Sequence, residues 1–105
     1  MKEVTVKELK TMMDNKESFQ LIDVREPHEK EIAEIGGELI PMGELMSGLE
    51  KISRDKKVVV HCRSGARSGA VIQALEREHG FDNLYNLKGG ILAWANEIDH
   101  SLTKY

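Results

Sequence analysis

The run "KVVVHC" at 57–62 constrains the fold more than any other stretch of this chain. Three consecutive valines leave no polar face, so a strand there is buried on both sides, as in a parallel sheet covered by helices. Parallel neighbours cannot be joined by tight hairpins and need long, usually helical, crossovers. The rest of the chain supplies that alternation. "EVTV" (3–6) is predicted as a short first strand, followed by a helix through "VKELKTMMDN" with Leu9, Met12 and Met13 on one face. "FQLIDV" (19–24) is a second strand, and Pro27 suits the first turn of a short helix after it. "ELI" (38–40) is a brief strand stopped by Pro41, ahead of a helix carrying Leu45, Met46, Leu49 and Ile52.

Beyond the valine run, Ala70, Val71, Ala74 and Leu75 stand at core spacing on a helix that Gly80 ends, with Phe81 as the apolar contact past the stop. "NLYNL" (83–87) is the last strand, and "GGILAWANEI" closes the chain's helices with Trp94 in the core and Gly89–Gly90 as a tight turn. The fold class expected is therefore α/β: a central, mostly parallel five-stranded sheet with helices on both faces, joined by right-handed crossovers, with residues 1–105 as one domain.

Composition narrows the function classes. A net charge of -3 and 5% aromatic residues argue against nucleic acid as a partner, because phosphate binding needs a basic field. No apolar run approaches the roughly 20 residues of a membrane span, and "MKEVTVKELK" has no apolar signal core. One cysteine cannot form an intrachain disulfide, and His28, His61, His79 and His100 show no ligand spacing, so neither a metal nor another cofactor is expected. A reduced, cytoplasmic setting is the expectation.

The single cysteine stands where the valine strand breaks into "CRSGARS" (62–68), at the carboxyl end of the strand, where open α/β sheets bind ligands. Cysteine attacks as thiolate, and an ordinary thiol is only about 3% ionised at neutral pH. A helix N-terminus and nearby cations raise that fraction, and both follow Cys62 within a few residues. Arg63 and Arg67 add charge, while Gly65 permits a turn that aims the amides of residues 63 to 68 inward. Cys62 is thus the candidate nucleophile, and Arg63, Ser64, Gly65, Ala66, Arg67 and Ser68 the candidate anion cradle. The same residue types also fit a buried structural cysteine beside water-facing arginines. His61 is expected on the opposite face of the strand, in the core rather than as a base.

Three segments carry a resemblance. "LIDVRE" (21–26), "VVVHCRSGARS" (58–68) and "YNLKGGILAW" (85–94), in that order and spacing, resemble the rhodanese family of sulfurtransferases nearly end to end. One segment departs from the family's pattern: "AEIGGELIP" (33–41) has Ala33 and Glu34 where a Gly-His pair is usual. The resemblance implies that Cys62 takes a sulfane sulfur from a small anionic donor such as thiosulfate and passes it, through a persulfide, to a thiol or protein acceptor. Arg63 is then the expected substrate contact at the pocket mouth, and Arg67 either ties the loop in place or adds charge.

Asp23 and Arg25 are expected near the pocket rim in a supporting role, with Asp23 capping the next helix, or bonding the loop or Arg67. Glu26, Glu29, Glu31 and Glu34 read as a solvated acidic face. Three alternatives stay open: a partner-binding module without activity, a redox-responsive thiol, and a cysteine-dependent phosphatase. Four residues separate Cys62 from Arg67, one fewer than in the phosphatase loop, which favours a sulfur atom over a phosphate ester.

Overall fold

The computed structural model describes residues 1–105. Five strands alternate with five α-helices: β1 (Glu3–Val4), α1 (Val6–Asp14), β2 (Phe19–Asp23), α2 (Pro27–Ile32), β3 (Glu38–Leu39), α3 (Met42–Ser47), β4 (Lys57–His61), α4 (Ala66–His79), β5 (Leu84–Leu87) and α5 (Gly90–Glu97). The sheet order is β1-β5-β4-β2-β3 and every pairing is parallel, which places the valine strand at the centre.

The pleat of β4 sorts its side chains between two cores. Val58, Val60 and, just beyond the strand, Cys62 join Leu45 of α3 and Val71, Ile72 and Leu75 of α4. Val59 joins Val6, Leu9 and Met12 of α1 and Trp94 of α5 on the other face. Helices therefore cover both faces, as the unbroken valine run requires.

Three local expectations are corrected. The first strand is two residues, not four, because Thr5 caps α1. Its hydroxyl accepts from the Glu8 amide at 3.1 Å while the Glu8 carboxylate accepts from the Thr5 amide at 2.9 Å, a reciprocal cap that outweighs the β-propensity of "VTV". The helix expected to carry Leu45, Met46, Leu49 and Ile52 breaks at Gly48, whose φ of -130° and ψ of 55° are not helical, and a separate 3-10 turn covers Leu49–Lys51. Ala70 is exposed on α4 and Ala74 half-buried, whereas Ile72 takes the core position. Pro27 does open α2, and Gly80, at φ +68°, does end α4 with Phe81 buried beyond it.

Candidate active site

Cys62 lies at the carboxyl end of the central strand, and the loop after it closes over its sulfur. Gly65 adopts φ +103°, a left-handed conformation that side chains resist. That twist turns the Gly65 amide back to donate to Cys62 Sγ at 3.1 Å. Ser68 Oγ lies 3.4 Å from the same sulfur. Burial pushes the thiol up, since the residue is only 1% exposed, yet the Ser68 hydroxyl and the amides of Ser68, Gly65 and Ser64 outweigh it and hold Cys62 below its ordinary value.

Three of the loop's carbonyls, those of Cys62, Arg63 and Gly65, are held by groups outside the loop. Cys62 O and Arg63 O accept from the Ile91 and Leu92 amides at 3.0 and 3.1 Å, in the first turn of α5. That docking needs glycine at position 90. A Cβ there would stand 2.4 Å from Arg63 O, and its φ is +61°. Asn86 of β5 completes the support: its amide nitrogen donates to Gly65 O at 3.1 Å, and its oxygen accepts from Ser68 Oγ at 2.6 Å. The single Ser68 proton is thus shared between Asn86 and the sulfur, so Asn86 sets the direction of that hydroxyl.

Arg67 does not point at the sulfur. Its two terminal nitrogens donate to the two oxygens of Glu29 at 2.7 and 2.8 Å, a bidentate pair that joins α2 to α4. These bonds, against the burial that raises it, hold the Glu29 carboxyl far below the usual carboxylate range. The expectation of a solvated acidic face fails here: Glu26, Glu31 and Glu34 are exposed, but Glu29 is 6% exposed because it faces inward from α2. Tyr105 reaches the same carboxylate, donating to Glu29 Oε2 at 2.7 Å.

Asp23 and Arg25 are core residues, not rim residues, at 2% and 0% exposure. Asp23 neither caps α2, whose cap is Glu26, nor bonds the loop or Arg67. It accepts from the Arg25 amide at 3.0 Å and from Nε and Nη2, along one edge of the Arg25 guanidinium, at 2.9 and 2.8 Å. Arg25 also donates to Ala33 O at 2.7 Å, Glu29 O at 3.3 Å and the Tyr105 hydroxyl at 2.9 Å. It pins the α2 crossover, including the segment at Ala33–Glu34, from inside.

His61 is fully buried on the face away from Cys62, and Nε2 is 3.9 Å from Asp23 Oδ2 with no hydrogen-bond partner. Burial holds its imidazole below the ordinary value, so it is neutral at neutral pH and placed to accept nothing from Cys62.

The loop therefore unites Cys62, Ser64, Gly65 and Ser68 around one sulfur, with Arg63 exposed above and Ala66 as the first residue of α4. Glu29, Asn86 and Tyr105 were not anticipated. Only Asn86 carried a local signal, as a strand residue of a type that strands disfavour. No group of histidine, cysteine, aspartate or glutamate side chains comes together to hold a metal ion. No helix is long and apolar enough to cross a membrane.

Fold and loop together define a class: a parallel α/β domain whose loop after the central strand turns its amides onto a cysteine sulfur. Comparison with known protein families matches residues 5–97 to the Rhodanese-like domain, and the chain belongs to that family. It is 38% identical over 102 residues to YtwF of Bacillus subtilis, named a putative sulfurtransferase, covering 91% of this chain and 92% of that protein. It is 36% identical over 105 residues to MoeZ of Mycobacterium tuberculosis, named a probable adenylyltransferase/sulfurtransferase. The match takes in 97% of this chain but spans only 26% of MoeZ. Among solved structures, a rhodanese-like domain protein from Staphylococcus aureus superposes with a TM-score of 0.82 at 29% identity, covering 100% of this chain and 99% of that one.

Proposed function

We propose that this protein is a sulfurtransferase that carries sulfane sulfur on Cys62 as a persulfide. The Cys62 thiolate attacks the outer sulfur of an anionic donor of the thiosulfate type. The donor's S–S bond breaks, sulfite leaves with the electron pair, and Cys62 holds the sulfur as an anionic persulfide. A thiophilic acceptor, either a small thiol or a protein thiolate, then attacks the outer sulfur and releases the Cys62 thiolate, so charge and electrons balance over the cycle. A reducing compartment suits this chemistry, because the lone thiol must return unoxidised after each turnover.

One observation carries this reading: main-chain amides and the Ser68 hydroxyl converge on the sulfur of Cys62, a residue 1% exposed, and still favour its anionic form. Donors fixed in place before the reaction stabilise thiolate, transition state and persulfide alike without reorganising. Relatives named as sulfurtransferases support the same reading. A phosphatase would need Arg67 to grip an ester, but both of its terminal nitrogens are committed to Glu29.

Incubation with thiosulfate followed by intact-mass measurement tests the proposal. One extra sulfur atom is expected on the wild type and none on Cys62→Ser. An unmodified wild type, or an equal gain in the variant, would remove the persulfide from the account.

A further inference from the structure

Arg63 stands apart from the other arginines of the site. Arg25 and Arg67 are locked into carboxylates, whereas Arg63 takes part in none of the protein's ion pairs. Its side chain is exposed beside Cys62, and its guanidinium lies over the Tyr105 ring, 5.1 Å from the centroid. A free arginine at this point would sample many rotamers, and holding it for an anion costs conformational entropy.

Tyr105 is itself held from two sides. Its hydroxyl donates to Glu29 at 2.7 Å and accepts from Arg25 at 2.9 Å, and Arg25 also approaches the ring at 5.9 Å. The ring is therefore a fixed platform bolted to the groups that anchor the loop through Arg67. An aromatic face attracts a guanidinium without consuming its N–H donors. Arg63 thus keeps all five donors for an incoming anion while its position is restrained, which a carboxylate partner in place of the ring would not allow.

We infer that Tyr105 is a positioning residue for donor-anion binding, stationing Arg63 at the mouth of the Cys62 loop. The inference deepens the sulfur-transfer reading by assigning the residue that orients its anion contact, but anion binding can be measured without any transfer.

The test uses the full chain carrying Cys62→Ser, which cannot form a persulfide, titrated with thiosulfate and followed by the amide resonances of residues 63 to 68. Adding Tyr105→Ala is expected to raise the dissociation constant roughly three- to tenfold, the range expected when one long side chain loses its restraint. The Arg63 Nε resonance should lose its aromatic ring-current shift in the same protein. Tyr105→Phe keeps the ring but frees it from Glu29 and Arg25, so its binding should fall between that of the parent and that of Tyr105→Ala. Arg63→Ala should weaken binding as Tyr105→Ala does, and combining the two should add nothing further.

A melting curve for each variant separates loss of the platform from loss of the fold. Unchanged affinity in Tyr105→Ala, additive losses in the double variant, or no saturable thiosulfate binding by the parent would each overturn the inference. Saturable binding that follows this pattern, together with a wild type that never gains sulfur, would instead leave the role of Tyr105 standing and sink the transfer reaction.

Discussion

Ser68 is the residue whose side chain decides how far the thiol is shifted. It alone offers the sulfur both a hydroxyl and an amide, while Asn86 competes for the hydroxyl proton at 2.6 Å. A hydrogen bond to a charged group contributes about 1.5–3 kcal/mol, so its loss should be visible in the ionisation of Cys62. Ser68→Ala is expected to raise the thiol's midpoint and slow its alkylation at neutral pH by roughly tenfold. A pH–rate profile with iodoacetamide reads both quantities. An unchanged profile would assign the shift to the amides alone.

At the scale of elements, the site is a joint between three of them: the end of β4, the start of α4 and the first turn of α5. The joint was legible in part. The valine run, the cysteine at its end and the Gly89–Gly90 turn all announce themselves locally, since each demands a particular backbone whatever surrounds it. What α5 does for the loop was hidden, because the bonds from Ile91 and Leu92 to the loop carbonyls span nearly thirty residues of sequence. A still longer separation, 38 residues, concealed Glu29 as the partner of Arg67. Strand 3–6 was misread for the opposite reason: two neighbouring side chains, Thr5 and Glu8, settle the helix start within one turn.

Gly90→Ala tests the joint directly. Its Cβ would press on Arg63 O at 2.4 Å in a backbone conformation that alanine resists. Such a variant is expected to lose about 2–4 kcal/mol of stability, measured by urea unfolding. A loss within about 0.5 kcal/mol would mean that the α5 turn can shift without harm.

Across the whole molecule, one network ties the end of β2 and the α2 crossover to the start of α4: Asp23 to Arg25, Arg25 to Tyr105, Tyr105 to Glu29, and Glu29 to Arg67. Its acid limit follows from Glu29, which titrates lower when folded than its ordinary value of 4.5. The unfolded chain therefore takes up this proton first as pH falls. The pair's contribution is whole above about pH 4.5 and drains away below it. Glu29→Gln should cost about 1–3 kcal/mol at neutral pH and flatten that part of the acid slope, read from denaturant midpoints at several pH values. An unaltered slope would show that other carboxylates govern acid unfolding.

The ionisation of Cys62 in the native wild-type protein bears most directly on the whole account. Alkylation rates across pH, or thiolate absorbance, would report it. The convergence of Gly65, Ser64 and Ser68 on a buried sulfur predicts a midpoint below the ordinary thiol value of about 8.5. A midpoint at or above that value would mean that burial outweighs the loop, and that the protein holds no thiolate ready to accept sulfur.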